Sequence, residues 1–228
     1  MKKLSFKRLS KKVASLIMLP IKNGPLKGYM WIVGSGLKFI KGSYELDTVD
    51  FFKSVINEGD VCIDIGGHVG YTGLVMSKLT GDNGTVIIFE PRPVNIQYIE
   101  KHIKRNEVNN VVLHKLGISD RSGKATFDVT AGTGTGKITK TGELTIDIDT
   151  LDSVYNKENI ASPNFIKMDI EGEEYKALLG AENILKKYKP ILNISTHGKE
   201  VHKACLELVR SIGYSDIESI TGGFVAYK

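Results

Sequence analysis

The sequence predicts a doubly wound α/β domain, and three observations predict it. An apolar, largely β-branched run from Val61 to Ile65 stops at the turn Gly66-Gly67-His68-Val69-Gly70, the pattern of a strand buried on both faces that reverses tightly into a helix. A carboxylate, Glu90, closes the next apolar run twenty residues after Gly70. Strand-like and helix-like segments then alternate, which is the order of a parallel sheet with crossover helices.

In chain order, Val61 to Ile65 is the first core strand, and Tyr71 to Leu79 is a helix ended by the turn Gly81-Asp82-Asn83-Gly84. Thr85 to Phe89 is the second strand. Pro93 to Asn106 is an amphipathic helix with Ile96, Ile99 and Ile103 on one face, and Val111 to Leu116 is the third strand. Together these form the βαβαβ half-sheet that binds a mononucleotide. From Lys124 to Asp149 the period falls to two around Gly/Thr-rich residues 130–142, which predicts an antiparallel hairpin. Phe165 to Met168 returns to strand, Glu173 to Lys187 to helix, Ile191 to Ser195 to strand and Lys199 to Ser211 to helix. Tyr214 to Tyr227 reads as two strands around Gly222-Gly223.

Composition sets the organisation. With 228 residues and 41% hydrophobic side chains, the chain can fill one large core. Residues 1–27 form a basic amphipathic segment and residues 28–228 a single domain. The segment holds Lys2, Lys3, Lys7, Arg8, Lys11, Lys12, Lys22 and Lys27, while the first acidic residue is Glu45. The remainder carries 23 basic against 26 acidic side chains, so the basic balance belongs to the segment and a nucleic-acid partner is not expected. No apolar run reaches membrane-spanning length. Leu9, Val13, Leu16 and Ile17 recur at helical spacing, so residues 1–21 either pack on the domain or rest on an anionic membrane surface. The basic and apolar start resembles a signal peptide, but Pro20 and Lys22 interrupt it and no cleavage site follows. A cytoplasmic protein is therefore expected. Cys62 and Cys205 sit in a strand and a helix pattern and read as buried hydrophobes rather than a disulfide or metal pair.

The glycine turn selects the ligand. A dinucleotide fingerprint needs glycine at its first, third and sixth positions, which here are Gly66, His68 and Tyr71. No P-loop pattern occurs either, so pyrophosphate and triphosphate ligands are disfavoured. Asp64 before the turn repels phosphate and attracts an ammonium or sulfonium, and Glu90 is placed to accept from a ribose diol. S-adenosylmethionine carries both cations and a ribose.

Gly42-Ser43-Tyr44-Glu45, Asp64 to Gly70, Phe89-Glu90-Pro91, Ile118-Ser119-Asp120, Thr150-Leu151-Asp152, Ile166 to Gly172 and Glu174 together resemble FkbM-type S-adenosylmethionine-dependent methyltransferases over about residues 28–197. The resemblance implies a three-layer class I fold with a seven-stranded, mostly parallel sheet and one antiparallel strand. It also implies O-methylation of a small hydroxylated acceptor such as a sugar, glycan or metabolite. It places Asp64, Gly66, Gly67, His68 and Gly70 around the methionine portion. Glu90, Pro91 and Arg92 fall at the ribose and the mouth, and Leu116, Gly117 and Ile118 against adenine. Tyr44 and Glu45 would close over the cofactor from the other side. Gly67-His68 departs from the family's usual Ala-Asn.

Methyl transfer requires positioning of the acceptor and removal of its proton. Asp169 and Glu171 end the Phe165 strand two residues apart and share a face in extended chain. Either is a candidate base, and together they could hold a divalent metal. His197 follows the Ile191 strand at the same sheet edge and is a third candidate. Two other readings stay open: a noncatalytic, membrane-associated protein that retains the fold, and a nucleotide-cofactor oxidoreductase. Amino-methylation of nucleic acid is opposed by Asp169-Ile170-Glu171-Gly172, where an Asn/Asp-Pro-Pro-aromatic turn would be expected.

Overall fold

The computed structural model describes residues 13–128, 137–138, 144–158 and 160–227. It opens with a two-stranded antiparallel ribbon, β1 (Met18–Pro20) and β2 (Met30–Ile32), followed by α1 (Leu37–Lys41) and α2 (Leu46–Val55). The nucleotide-type half follows as β3 (Val61–Ile65), α3 (Tyr71–Thr80), β4 (Thr85–Phe89), α4 (Pro93–Arg105) and β5 (Val111–His114). Four short strands form a separate sheet: β6 (Gly117–Ile118), β7 (Gly123–Asp128), β8 (Lys137–Ile138) and β9 (Leu144–Asp149). The rest comprises α5 (Leu151–Glu158), β10 (Phe165–Met168), α6 (Glu174–Leu179), α7 (Glu182–Tyr188), β11 (Ile191–Ser195), α8 (Lys199–Ser211), β12 (Asp216–Ile220) and β13 (Gly223–Tyr227).

The main sheet has the order β12-β13-β11-β10-β3-β4-β5. β13 runs antiparallel to both neighbours, and the five strands from β11 to β5 are parallel. Because side chains alternate along a strand, each central strand feeds two cores. Ile63, Ile87, Ile166 and Leu192 pack under α5 to α8. Cys62, Val86 and Phe165 pack with Trp31, Phe39, Phe52, Leu74 and Ile99 on the other face. Two covered faces make three layers. The free thiols of Cys62 and Cys205 are buried in different cores, too far apart in the fold to pair. No helix among the described residues is long and apolar enough to cross a membrane.

Four differences from the sequence reading have physical causes. The third strand stops at His114 rather than Leu116, because Gly117 and Ile118 leave the main sheet to pair with Ile148 and Asp149. The helix expected over 173–187 is two helices, broken at Gly180-Ala181 where the Ser119 carbonyl occupies the space a side chain would need. α2 and α5, which bury only Val49 and Phe52, and Leu151 and Val154, are too weakly periodic to stand out as helices. Residues 18–27 contribute Ile21 and Leu26 to the core beside Trp31, so packing with the domain begins before residue 28. β7 and β9 pair antiparallel as expected. The Gly/Thr-rich residues 130–142 of that hairpin lie outside the described residues save 137–138, as do the lysines of residues 1–12.

Candidate active site

The parallel strands β3, β4, β10 and β11 end at one edge, where ligands bind in open α/β sheets. Two open cavities meet there, taking in about 620 and 770 Å³ of space together with the solvent at their mouths. They share Gly66, His68, Asp169 and Glu171 as a common wall.

The first cavity is the more apolar one. Phe89, Pro91, Gly117, Ile118, Phe127 and Ile146 give it apolar walls, and Glu90, Arg92 and Asn95 give it polar ones. Phe127 and Ile146 come from β7 and β9 and had been assigned no role; their alternation with polar residues was the available signal. Glu90 is 4% exposed. Its Oε2 accepts from the His68 N–H at 2.8 Å and its Oε1 from the Arg92 N–H at 2.8 Å. Burial pushes its carboxyl up to about 7, against the opposing pull of those donors and the Asn95 side chain. Leu116 is outside this wall and packs against the core instead.

The second cavity is charged. Lys38, Tyr44, Glu45, Tyr71, Thr72 and Lys167 line it with the shared residues. Tyr44 stands edge-on to Phe39 and Tyr71, with the Lys38 Nζ 4.0 Å above its ring. Burial and a hydrogen bond to Glu45 hold its phenol well above the ordinary value.

Asp64 is fully buried beneath the glycine turn, and its Oδ2 accepts from the Thr72 hydroxyl at 2.7 Å. In register beside it on β10 is Lys167, whose Nζ lies 3.6 Å from Asp64 Oδ1 and 3.8 Å from Asp169 Oδ2. Asn193 on β11 continues the same row. Burial alone would lower the Lys167 ammonium, but Asp64, Asp169 and Glu45 hold it above its ordinary value. In the sequence alone, Lys167 inside an apolar run looks like an interruption until the register is known.

The glycines do something other than expose backbone to a ligand. A Cβ on Gly66 would strike the Asp169 carbonyl, and one on Gly67 would strike Ile88. Gly70 starts α3 with φ +90° and faces Ile99 rather than either cavity. The turn is therefore pressed against β10 and β4 by close packing. His68 follows it at φ +50°, a left-handed conformation unusual for its type. Burial first, then Lys38, Lys167 and Arg92, lower its imidazole to about 4, so it is neutral at pH 7.

Of the three candidate catalytic groups, Asp169 and Glu171 stand at the shared wall, and His197 lies behind them, lining neither cavity. Asp169 lies 3.7 Å from His197 Nε2 through Oδ1, and Glu171 lies 3.7 Å from the same nitrogen through Oε2. Glu171 has φ +58° and Gly172 φ +109°, which turn the chain sharply from β10 into α6. Among the described residues these three form one group able to offer ligand atoms within 4.8 Å of one another, a donor set that suits a divalent cation. Glu174, 0% exposed, anchors the turn. Its Oε1 accepts from the Ile170 and Gly172 N–H groups at 3.2 and 3.0 Å and contacts His197 Nδ1 at 2.9 Å.

A curated relative, the hexuronic acid methyltransferase AglP of Haloferax volcanii, is 28% identical over 144 residues, covering 62% of this chain and 58% of the relative. Among solved structures, the FkbM methyltransferase from Methylobacillus flagellatus KT superposes with a TM-score of 0.55 at 20% identity, over 86% of this chain and 53% of that one. SMU.1697c of Streptococcus mutans, solved in complex with SAH, gives 0.50 at 13% identity over 80% and 97%. The chain thus spans little more than half the length of AglP and of the Methylobacillus protein, and at these identities the structural likenesses establish the fold. The methyltransferase FkbM domain itself matches residues 64–215. That span runs from the buried aspartate of β3 to the turn between α8 and the last hairpin and takes in Glu90, Asp169, Glu171 and His197, so the chain belongs to the FkbM-domain methyltransferases.

Proposed function

We propose that the chain transfers a methyl group from S-adenosylmethionine to a hydroxyl oxygen of a small sugar-like acceptor. The observation that carries this reading is the chemical contrast between the two cavities joined at Gly66 and His68. A flat base and a ribose suit the apolar one, with Glu90 at its polar side. A zwitterionic amino-acid portion suits the other, where Lys38 and Lys167 face Glu45 and Asp169. The donor set fits the cofactor on both counts, and the SAH-bound fold neighbour supports the same choice. Glu90 would hold the ribose diol, Gly117 and Ile118 the base, and Tyr44 and Glu45 the amino-acid end. Arg92 and Pro91 would border the mouth. When bound, the cofactor supplies an electrophilic methyl group. The chain's own residues orient the acceptor, keep the site dry and take the hydroxyl proton at the Asp169, Glu171 and His197 cluster. A divalent cation held there would acidify the hydroxyl.

A hexuronic acid or related sugar as acceptor follows the named activity of AglP. In a cytoplasmic setting, residues 1–21 would touch an anionic membrane, a reading supported by the exposed Val13, Leu16 and Ile17 beside the lysines of residues 2–12. Sedimentation with phosphatidylglycerol vesicles, and none with phosphatidylcholine, is the expected result.

Calorimetric titration with S-adenosylhomocysteine, with NAD and ATP as controls, tests the main reading. Selective binding of S-adenosylhomocysteine supports it, and selective NAD binding would favour an oxidoreductase. Binding without methyl transfer to any of a panel of hydroxylated sugars would favour a noncatalytic role.

A further inference from the structure

We propose that the N-terminal face beside the charged cavity docks on an anionic phospholipid membrane, and that the acceptor is a sugar carried on a lipid anchor in that membrane. The acceptor half rests on the methyl-transfer reading above and names its substrate class. The docking half stands without it.

Exposed apolar side chains are not spread evenly over the molecule. Among the described residues ten large ones stand exposed, and six of them fall within residues 13–46: Val13, Leu16, Ile17, Leu19, Leu37 and Leu46. Single exposed leucines need no explanation, but a cluster of them marks a surface that is covered in use. Backbone contacts make these positions neighbours. The Val33 N–H donates to the Ile17 carbonyl at 2.9 Å, and Gly34 lies so close to Ser15 that a Cβ there would meet its nitrogen at 2.9 Å. α1 starts three residues later at Leu37, which is 61% exposed. Lys38 and Glu45, the chain neighbours of Leu37 and Leu46, line the charged cavity. The apolar face and that cavity therefore adjoin.

The charges of this face select its partner. Lys22, Lys38 and Lys41 are exposed beside the apolar side chains, and the Lys22 N–H ties the first to α1 through the Ile40 carbonyl at 2.9 Å. No carboxylate among the described residues stands at ion-pair distance from these three, whereas Lys53, Lys124, Lys176 and Lys186 elsewhere each pair with one. The sequence has no acidic residue ahead of Glu45, and residues 1–12 add Lys2, Lys3, Lys7, Arg8, Lys11 and Lys12. Uncompensated cations among aliphatic side chains match the phosphates and the acyl boundary of an anionic bilayer. A second copy of the face would set like charges against each other. A single-stranded nucleic acid needs aromatic rings to stack on, and the exposed apolar side chains here are all aliphatic. A membrane seated on this face puts the cavity at the bilayer surface, where a lipid-anchored sugar is held at high effective concentration and a soluble one is not.

A polarity-sensitive dye reads the orientation. Cys62 and Cys205 are buried, so the dye is attached in the full chain to Leu16→Cys, to Leu37→Cys, or to Ile220→Cys on the edge strand β12. Phosphatidylglycerol vesicles should shift emission to the blue at positions 16 and 37 and leave position 220 unchanged, and phosphatidylcholine vesicles should shift none. Lys22→Gln combined with Lys41→Gln should weaken binding to phosphatidylglycerol by about tenfold or more, with S-adenosylhomocysteine affinity unchanged. No shift at position 37, or equal shifts at all three, would overturn the docking half. Self-association in sedimentation without lipid, or tighter binding of oligouridine than of vesicles, would overturn it too. For the acceptor half, labelled methyl transfer from S-adenosylmethionine to glucuronosyl diacylglycerol in these vesicles should exceed transfer to soluble methyl glucuronide by about tenfold or more. Equal transfer to both, or transfer to neither, would refute that half while the docking result stands. Failure of S-adenosylhomocysteine to bind the same protein would instead refute the cofactor reading.

Discussion

The two halves of the cleft are built by different means. On the apolar side, Glu90 is held by the backbone N–H groups of His68 and Arg92, close neighbours in a turn and at a strand end. On the charged side, Asp64, Lys167, Asp169, Glu174 and His197 come from three strands and a helix and hold one another through side chains. A half organised by backbone tolerates substitution of its single carboxylate. A half organised by interlocking charges fails as a unit, because removing one member strands another in low dielectric.

The sharpest way to break this contrast is at His197. His197→Asn should lower methyl transfer by about 10²–10⁴-fold with S-adenosylhomocysteine affinity little changed, measured as labelled-methyl incorporation into hexuronic acids beside the wild type. Equal losses of affinity and turnover would mean the two halves are not separable. Next comes Lys167→Met, which leaves buried Asp64 without its counter-charge and should cost about 3–5 kcal/mol of stability in urea unfolding. Adding Asp64→Asn should recover part of that loss, and strict additivity would deny the coupling.

Glu90→Gln is expected to do less, weakening S-adenosylhomocysteine by about 10–100-fold while the fold persists. Its pH signature is specific. The folded carboxyl sits near 7 against an ordinary 4.5, so between those values the folded chain keeps a proton that the unfolded chain has lost. Stability therefore falls as pH rises through that window, and Glu90→Gln should flatten the slope. A ribose donating to Glu90 favours the ionised form, so wild-type affinity should weaken as pH drops below about 7, with proton release on binding visible across buffers of different ionisation enthalpy. Tyr44→Phe removes only a hydroxyl over the charged cavity and should shift affinity by about 0.5 kcal/mol or less in the same titration.

Legibility in the sequence divides along the same line. The parallel core, the glycine turn and Glu90 were readable because their signals are local: an apolar run, a turn and a fixed spacing. Asp169, Glu171 and His197 were readable as strand-end residues, and the fold brings them together as the shared sheet edge requires. Lys167 and the Glu174 contact with His197 were not, because they depend on β10 lying in register beside β3 and β11. The glycines were found for an incomplete reason, since Ile88 and the Asp169 carbonyl demand them as much as any ligand. Phe127 and Ile146 escaped because a separate small sheet carries them to the cavity.

The reversed strand has a consequence for the order of assembly. Thr196, next to His197, donates its N–H to the Gly222 carbonyl at 2.8 Å, and β11 gains its outer neighbour only when β13 docks. As the chain emerges during synthesis, residues 216–227 come after everything else the cleft uses. Until that hairpin arrives, β11 is an open edge able to recruit stray strands. The histidine loop has no fixed end until then, so competence for chemistry should wait for residues 216–227.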